Sequence, residues 1–458
     1  MSNDATRNVE TPPQLRRFLT WMRPGMKLKR WIVLALVGFV LILDGFGRVL
    51  KHYAFNFHIN DTINALVPKP IPGAFIDAAF ILGGSALVYY GIRQWMRSIV
   101  AVISPHDGSR LIEVIYERRQ LDRGYRLVAI GGGTGLSTVL RGLKQYSTNL
   151  TAIVTVTDDG GSSGRLRAEL GVLPPGDIRN CLVALADSES MMAELFQYRF
   201  NEGDGLVGHS FGNLFIAAMC GIAGDFDRAI KESSRVLAIK GRVLPSTLAN
   251  VSLEATLDDG SVVSGETSIS KSARPIRSLR LVPGACQALP EAIEAILAAD
   301  LIILGPGSLY TSIMPNLLVP GIAEAIEQAN AAKIFVCNIM TQPGETAGMT
   351  ASDHARAVLE ANGRGLFHTV MVNVGQANRL LPMYERDGAF MVPADLDAIR
   401  ALGCTPLTGD FVSEGHQVRH DANKLAATLL KVVDERNERY GLNALLGSAS
   451  RRSSPTAK

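Results

Sequence analysis

The sequence predicts an α/β fold in which a mostly parallel sheet with a small β insertion is preceded by two transmembrane helices. Two apolar runs, each of roughly 20 residues, lie near the amino terminus and match the length of a membrane span. From residue 125 onward, the pattern of strand, glycine loop and helix recurs along the chain. A stretch of alternating apolar residues, 250–282, interrupts that pattern and predicts the insertion.

The composition limits the class of protein. With 458 residues, the chain is long enough for at least two structural units, and a formal net charge of +3 gives no overall signature of nucleic-acid binding. No two of the five cysteines have CxxC spacing, so the sequence predicts neither a zinc knuckle nor a redox motif. We therefore expect buried cysteines in a reducing compartment, and no nucleic-acid partner.

The two apolar runs, residues 31–50 and 71–92, are each long enough to cross a hydrocarbon core of ~30 Å. Each run contains one acid, Asp44 or Asp77, which costs about 3 kcal/mol near the middle of a span. The surrounding apolar residues offset that cost. A signal peptide is the poorer interpretation, because residues 1–30 are long and polar and no A-x-A cleavage site follows the first run.

Basic residues flank the apolar runs unevenly. They are frequent in the amino-terminal segment, residues 1–30, and recur in the predicted linker, residues 93–124, but are scarce between the two runs. The positive-inside rule then places both the amino terminus and the main domain in the cytoplasm. We therefore expect a two-helix membrane anchor, residues 31–92, and a cytoplasmic domain over residues 125–446.

Within the main domain, the hydrophobic pattern assigns strands and helices in alternation. Strands are predicted over residues 126–130, 150–157, 301–304, 333–338 and 369–374. Helices are predicted over residues 136–146, 179–200, 210–220, 321–330, 352–360 and 421–440. An Asp-Gly pair between two alternating runs predicts a β-hairpin in the insertion. The polar tail, residues 447–458, is predicted to be disordered.

The first predicted strand of this domain runs directly into a glycine-rich loop and then a helix. The loop residues are Gly131, Gly132, Gly133, Thr134 and Gly135, and the hydroxyls of Ser137 and Thr138 follow. Glycines allow the backbone to approach a phosphate closely, and the helix start adds N–H groups and the positive end of its dipole. The loop lacks the GK[ST] of a P-loop and the strict dinucleotide spacing. It therefore predicts an anion site, with a tight turn that binds nothing as the alternative.

The second strand is followed by the sequence TDDGGSSGRLR. Asp158 and Asp159 are candidates to accept from ribose hydroxyls, to bind Mg²⁺ or to act as a base. Gly161 and Ser163 lie in the flexible part of the loop, and Arg165 is a candidate phosphate contact. A solvated turn with charge pairs remains the alternative.

Two further polar loops precede helices. In LPPGDIRN, Asp177 is predicted to cap the next helix, and Arg179 is a candidate ligand contact. In GHSFGNLF, the Asn213 amide suits the edge of a nucleobase because it both donates and accepts. His209 beside it is predicted to be a structural hydrogen-bonding group, with ligand contact as the alternative.

A later strand also ends in a glycine loop with hydroxyls. Its candidate ligand residues are Gly305, Gly307, Ser308 and Tyr310. The next strand is followed by Asn338, Gln342 and Glu345. Since the carboxyl ends of parallel strands meet at one edge of a sheet, we expect all these loops to line a single cleft.

Six segments follow one another in an order that resembles the gluconeogenesis factor (YvcK) family, within the CofD-like superfamily. They are GGGTGLS, TDDGGSSGRLR, PPGDIRN, GHSFGNL, GPGSLYTS and MTQPGET, and the resemblance covers residues 125–441. It implies a Rossmann-like α/β fold that binds a UDP-sugar such as UDP-N-acetylglucosamine. It also implies a bacterial protein with a role in cell shape, peptidoglycan synthesis and gluconeogenic growth. The membrane anchor is an addition that many members of the family lack.

The CofD branch of that superfamily consists of transferases that use a guanosine-nucleotide donor and Mg²⁺. By motif match, nucleotide or metal contacts fall on residues 131–135, Asp158, Asp159 and Asn213. We therefore expect a regulatory protein that binds a UDP-sugar and needs no cofactor to do so. The alternative is a Mg²⁺-dependent transferase in which Asp158 and Asp159 hold the metal. An NAD-dependent enzyme is a weaker interpretation, because TDDGG replaces a single ribose-binding acid.

The expected location is the bacterial cytoplasmic membrane, with the amino terminus and the main domain on its inner face. The expected partners are a nucleotide-linked small molecule and the membrane itself. A homo-oligomer and a protein partner from envelope synthesis both remain open.

Overall fold

The computed structural model describes residues 29–54, 73–103, 119–187, 191–272, 274–363 and 365–452. The chain divides into two compact units, residues 1–117 and 118–458. The basic amino-terminal segment up to residue 28, the stretch between the apolar runs and residues 104–118 of the predicted linker lie outside the described residues. So do residues 453–458 of the predicted disordered tail.

The first unit contains two long helices, α1 (Lys29–Ala54) and α2 (Gly73–Ile103). Their segments Arg30–Leu50 and Phe75–Ser98 are long and apolar enough to cross a membrane, judged by length and composition. The α2 helix includes residues 93–103, which were predicted to belong to the linker. The two helices approach closely at glycines, since a Cβ on Gly38 would lie 2.6 Å from the carbonyl oxygen of Gly84. Small residues permit such packing between apolar helices.

The second unit is built on a parallel sheet of seven strands. Its strands and those of the insertion and a small hairpin are, in chain order, β1 (Leu127–Gly131), β2 (Leu150–Val154), β3 (Arg242–Pro245), β4 (Ser252–Leu257), β5 (Val262–Ser264), β6 (Ile276–Val282), β7 (Leu301–Leu304), β8 (Ala332–Val336), β9 (Thr369–Asn373), β10 (Thr405–Gly409), β11 (Val412–Glu414) and β12 (Val418–His420). The order in the main sheet is β10-β9-β8-β7-β1-β2-β3. This confirms the predicted α/β class.

The sheet is wound in two directions from its centre. The chain passes from β1 through β2 to β3 on one side, then returns to β7, which pairs with β1 in the register Leu127↔Leu301. From there it continues through β8 and β9 to β10 on the other side. The winding therefore reverses between β1 and β7, and ligands of open α/β sheets bind at such a reversal point.

The strands at the centre of the sheet are buried along their whole length. All five residues of β1, all five of β2 and all four of β7 are buried. Continuous apolar strands of this kind are typical of a parallel sheet covered by helices on both faces. The core thus fixes where the strands end, and thereby where the loops at their carboxyl ends lie.

The second unit contains further helices, which surround the sheet or lie in the insertion. In chain order they are α3 (Gly133–Leu143), α4 (Gly161–Leu170), α5 (Gly176–Leu185), α6 (Met191–Gln197), α7 (Phe211–Ala223), α8 (Phe226–Val236), α9 (Glu266–Ser270), α10 (Pro290–Leu297), α11 (Met314–Leu317), α12 (Ile322–Gln328), α13 (Ala351–Asn362), α14 (Leu381–Arg386), α15 (Leu396–Ala401) and α16 (Ala422–Arg452). A π-helical turn, Leu309–Ile313, precedes α11.

Two helix predictions were wrong in their extent. The single helix over residues 179–200 is two helices, α5 and α6, because Ala186 becomes extended and pairs with Ile239. The last helix continues to Arg452 instead of ending at residue 440, so it includes the first residues of the predicted tail. By contrast, α7 begins one residue from its predicted start, where the Ser210 hydroxyl accepts from the Asn213 N–H.

The predicted β insertion is confirmed as an antiparallel sheet of three strands with the order β5-β4-β6. The Asp-Gly pair forms the turn between β4 and β5, where Gly260 has a φ of +84° and donates to the carbonyl of Leu257. The short helix α9 follows β5. Its first residue, Glu266, lies at the reversal point of the main sheet.

Candidate functional site

A cleft of ≈ 400 Å³ lies at the carboxyl ends of the strands, where the winding of the sheet reverses. Both predicted glycine loops line it, as do residues from the insertion and from the carboxyl-terminal part of the domain. The lining residues are Gly132, Gly133, Thr134, Gly135, Thr138, Asp158, Asp177, Glu266, Pro306, Gly307, Ser308, Ser312, Asn338, Ile339, Met340, Gln342, Tyr384, Val418, Arg419 and His420.

The first glycine loop needs its glycines for two different reasons. Gly133 has a φ of +63°, a left-handed conformation that strains residues with a Cβ. Gly135 lies in the first turn of α3, where a Cβ would be 2.4 Å from the carbonyl oxygen of Pro306. The absence of a Cβ at Gly135 therefore allows the two glycine loops to contact each other, and the first turn of α3 lines the cleft.

The second glycine loop is held by amide side chains. The N–H of Gly307 donates to Asn338 Oδ1 at 3.1 Å, and Asn338 Nδ2 donates back to the Gly307 carbonyl at 2.7 Å. Buried Asn316 joins the two loops, because its Nδ2 donates to the carbonyls of Gly131 (3.0 Å) and Ser312 (2.8 Å). Ser308 Oγ donates to Gln342 Oε1 at 2.9 Å. Asn338 and Gln342 therefore lie where the sequence predicted.

The carboxyl groups of Asp158, Asp177 and Glu266 line the cleft, and the pKa values of Asp177 and Glu266 are raised. Burial, with the charge of Asp158 beside it, raises the pKa of Asp177 to about 6, although the Gly133 N–H donates to it. Burial, together with the charges of Asp158 and Asp177, raises the pKa of Glu266 to about 9. At neutral pH, Glu266 is therefore protonated and able to donate a hydrogen bond.

The prediction that Asp177 caps the next helix was wrong. Pro175 occupies the cap position of α5, and no side chain caps that helix. Asp177 lies within the first turn and faces the first glycine loop, where a Cβ on Gly132 would be 2.4 Å from Asp177 Oδ2. Its role is thus to hold the backbone of the loop from the side of the cleft.

The two predicted acids of TDDGG separate in the structure. Asp158 lines the cleft and accepts from the Gly160 N–H at 2.9 Å. Asp159 instead accepts from the backbone N–H and the hydroxyl of Thr267, at 2.9 and 2.7 Å, and so fastens the insertion. The two carboxylates therefore do not face one shared metal position. Among the described residues, no group of three or more His, Cys, Asp or Glu side chains is arranged to hold a metal ion.

Asn213 lies in a buried polar network behind the cleft wall rather than among the lining residues. Its Nδ2 donates to Ser162 Oγ at 3.1 Å and approaches Ser163 Oγ at 3.5 Å. Ser163 Oγ also accepts from the Gly176 N–H at 3.1 Å. Arg179 Nη1 donates to Asn213 Oδ1 at 3.1 Å. The network joins the starts of α4, α5 and α7.

His209 belongs to the same network. It is 3% exposed, and its Nδ1 lies 2.9 Å from Ser162 Oγ. Burial and the nearby Arg165 lower its pKa, so the ring is neutral at pH 7. The structure therefore places His209 as a structural hydrogen-bonding group, as the sequence predicted.

The remaining predicted site residues lie outside the cleft lining. Arg165 donates to the carbonyl of Val207 at 2.7 Å. Ser137 donates within α3 to the Gly133 carbonyl, and Tyr310 is half-buried against the core. Buried Glu345, which was expected in the cleft, accepts instead from Ser270 and Thr311. The flanking glycines Gly131, Gly161 and Gly305 shape the backbone of the loops, with φ of +48° at Gly161 and +77° at Gly305.

The carboxyl-terminal wall of the cleft was missed by the sequence analysis. Tyr384 from α14 and Val418, Arg419 and His420 from β12 line it. Arg419 is the only Lys or Arg among the described lining residues, and its guanidinium contacts Gln417 rather than a carboxylate. Burial lowers the pKa of His420 to about 4, so that ring is neutral. The alternating run in VSEGHQVRH is a hairpin signal that would have indicated this wall.

A doubly wound sheet with two touching glycine loops at its reversal point places the chain among the open α/β proteins, a class whose ligands bind at the carboxyl ends of the strands. Consistent with this class, residues 127–412 match the family model described as 2-phospho-L-lactate transferase CofD. A crystal structure of a Bacillus halodurans protein superimposes with a TM-score of 0.66 at 47% identity, covering 67% of this chain and 99% of that one.

Two relatives narrow the assignment. The gluconeogenesis factor of Bacillus subtilis is 49% identical over 312 residues, which cover 68% of this chain and 98% of that protein. A Nostoc relative of the gluconeogenesis factors is 48% identical over 428 residues, covering 92% of this chain and 94% of that protein. The chain belongs to the gluconeogenesis factor family, within the CofD-like superfamily.

Proposed function

We propose that the cleft binds the diphosphate of a UDP-sugar such as UDP-N-acetylglucosamine, and that the chain is a regulatory protein. It acts in cell shape, peptidoglycan synthesis and gluconeogenic growth from the inner face of the bacterial cytoplasmic membrane. The observation that carries the proposal is the meeting of two glycine loops with a helix start at the reversal point of the sheet. That combination offers a close backbone approach to an anion and the positive end of a helix dipole.

The phosphates would lie against the first turn of α3. The N–H groups of the first turn of a helix have no partner within the helix. One of them, on Gly133, donates to Asp177, and the residues that carry the next two, Thr134 and Gly135, line the cleft. Arg419 faces the same space from β12 and supplies a full positive charge.

The lining residues of the cleft offer both polar and apolar groups to the sugar and the nucleoside of the ligand. The Asp158 carboxyl accepts from the hydroxyls of a ribose or sugar, and protonated Glu266 donates to an oxygen. Ile339, Met340 and Val418 provide apolar surface next to the Tyr384 ring. A volume of ≈ 400 Å³ lies within the usual range for small-molecule sites.

The proposed location depends on α1 and α2. Both are long and apolar enough to span a bilayer, and the Nostoc relative covers most of this chain, including residues before the domain. Two antiparallel spans return the chain to the side on which it began, which places the domain in the cytoplasm with the basic flanks.

Calorimetric titration of the full chain in detergent with UDP-N-acetylglucosamine, GDP and NAD tests the ligand. We expect selective micromolar binding of the UDP-sugar without turnover. Gly133→Ala should weaken it at least tenfold, whereas Gly171→Ala should not. The two glycines are matched, because both have φ near +65° with no atom closer than 3.9 Å to an added Cβ, and only Gly133 lines the cleft.

Arg419→Ala provides an independent check on the phosphate contact. Loss of one charge-assisted hydrogen bond costs about 1.5–3 kcal/mol, or roughly 10- to 150-fold in affinity. The side chain is not part of the core, so the melting temperature should stay unchanged. Equal affinity in the variant and the parent would contradict the proposed position of the diphosphate.

A Mg²⁺-dependent transferase using a nucleotide-diphosphate donor is the second candidate, favoured by the match to the CofD family model. Asp158 lines the cleft and is the acid available to a metal–phosphate complex, since Asp159 is held by Thr267. Mg²⁺-dependent consumption of GDP-linked or UDP-linked substrate, lost in Asp158→Asn, would establish this activity. Binding without turnover in the presence of Mg²⁺ would exclude it for the ligands tested.

A further inference from the structure

Glu345 is not among the described residues that line the cleft, but it joins two parts of the second unit that contribute to the lining. Its side chain is 7% exposed. One carboxyl oxygen, Oε1, accepts from Ser270 Oγ at 2.9 Å and from Thr311 Oγ1 at 3.1 Å. Ser270 ends α9 of the insertion, and Thr311 lies in the π-helical turn that follows the second glycine loop. A single carboxyl group therefore ties the insertion to that loop.

The short helix α9 transmits this hold to the cleft. It begins with Glu266, which lines the cleft, and ends with Ser270. Residues four apart lie on the same side of a helix, about 6 Å apart along its axis. Burial raises the pKa of Glu266, and the charge of Glu345 is one of those that add to the rise, which places the two carboxyl groups near each other. The position of Ser270 therefore determines that of Glu266.

The backbone beside Glu345 also packs against α9. Gly344 has a φ of +84°, and a Cβ on it would lie 2.3 Å from the carbonyl oxygen of Ser270. The left-handed backbone and the close approach both require a glycine at this position. The loop that carries Glu345 therefore lies directly against the end of α9, which keeps the Ser270 hydroxyl within reach of the Glu345 carboxyl.

A second carboxyl group, that of Asp159, holds α9 near its start. It accepts from the N–H and the hydroxyl of Thr267, at 2.9 and 2.7 Å. Asp159 is exposed, whereas Glu345 is buried. A hydrogen bond is electrostatically stronger where water is excluded, because the local dielectric constant is lower. The hydrogen bond between Ser270 and Glu345 is therefore the stronger single hold on α9.

We propose that Glu345 is a positioning residue of the ligand site. Through Ser270 it holds α9 so that Glu266 meets the ligand, and through Thr311 it sets that position relative to the second glycine loop. The inference rests on the proposed function, in which Glu266 donates to an oxygen of the UDP-sugar. Glu345 acts through Glu266 rather than by touching the ligand.

Ser270→Ala tests the hold on α9 without changing Glu345 or any lining side chain. Hydrogen exchange of the full chain in detergent, without ligand, should show the N–H groups of Ile269 and Ser270 exchanging about tenfold faster than in the parent. Ser234→Ala is the matched control, because Ser234 is also half-buried in a helix and donates its hydroxyl, to the Ile230 carbonyl at 2.7 Å. The control should leave the exchange of α9 as it is in the parent.

Calorimetric titration of the same chains with UDP-N-acetylglucosamine measures the consequence for the ligand. Ser270→Ala should raise the Kd about tenfold, whereas Ser234→Ala should leave it unchanged. In a Glu266→Ala background, Ser270→Ala should change the Kd by less than about twofold, because the side chain that α9 positions is gone. A residue that merely supports the fold would weaken binding equally in both backgrounds. The cycle therefore separates positioning from general destabilisation.

The two measurements decide the inference separately from the ligand. Unchanged exchange of α9 in Ser270→Ala overturns it, whichever ligand binds. Equal losses of affinity with and without the Glu266 side chain also overturn it. A parent that binds no UDP-sugar contradicts the proposed function alone, because the exchange of α9 reports the hold of Glu345 without a ligand. Faster exchange of α9, together with a loss of affinity confined to the chain that keeps Glu266, supports the inference.

Discussion

Asp177 offers a quantitative test of the electrostatics of the cleft, through the substitution Asp177→Asn. The asparagine still accepts from the Gly133 N–H but carries no charge. In the folded protein the pKa of Asp177 is about 6, raised by burial and by Asp158, compared with an ordinary value of 3.8. An acid with a raised pKa favours the fold while it is protonated. That contribution is complete below pH 3.8 and is lost as the pH rises to about 6.

The magnitude follows from the size of the shift. Each pKa unit corresponds to 1.36 kcal/mol, so a shift of about two units makes the ionised carboxylate cost on the order of 3 kcal/mol above pH 6. Asp177→Asn removes this cost. We therefore expect the variant to be more stable than the parent by up to about 3 kcal/mol at pH 7.5, with little difference at pH 4.

Urea denaturation of residues 118–452 at both pH values measures the difference. That segment corresponds to nearly the whole of the B. subtilis relative and of the B. halodurans crystal structure, so it is expected to fold alone. Asp204→Asn is the control, because Asp204 is exposed and is not among the residues that line the cleft. If Asp177→Asn destabilised the domain at pH 7.5, or stabilised it equally at pH 4, the burial of an ionised acid would not be the dominant effect.

Three further predictions concern packing and location. Gly135→Ala places a Cβ 2.4 Å from the Pro306 carbonyl oxygen, so the two glycine loops must separate by about 1 Å. Because overpacking of this kind costs about 1–3 kcal/mol, both the melting temperature and the UDP-sugar affinity should fall. Asn316→Ala leaves the carbonyls of Gly131 and Ser312 without their buried donor, which should lower the unfolding free energy by about 1–3 kcal/mol in urea. Alkaline carbonate should leave the full chain in the membrane pellet and release the segment 118–452, whereas extraction of both would contradict the membrane anchor.

The central strands and the first glycine loop were predictable because a single local signal determined each of them. Four apolar residues followed by a glycine loop can form little other than a buried parallel strand and a tight turn, and β1 and β7 were placed within one residue. The Asp-Gly turn at Gly260 identified the insertion in the same way. In such places the local chemistry and the tertiary structure agree.

Other features depend on contacts between distant residues, and the sequence shows only one partner of each contact. The residues of TDDGG look equivalent, but Thr267 of the insertion draws Asp159 away from the cleft and leaves Asp158 in it. Asp177 looks like a cap until the first glycine loop is seen beside it. Likewise, Glu266 enters the cleft only because the insertion folds against the main sheet. Sequence reasoning found the loops, but not how the tertiary fold divides their side chains between binding and support.

We propose that the diphosphate of a UDP-sugar lies at the start of α3, and a crystal structure of residues 118–452 with UDP-N-acetylglucosamine tests this most directly. We expect two phosphorus peaks in the cleft, with phosphate oxygens within hydrogen-bonding distance of the Thr134 and Gly135 N–H groups and of Arg419. Density for the ligand at another place on the domain, or an empty cleft at saturating ligand, would contradict it.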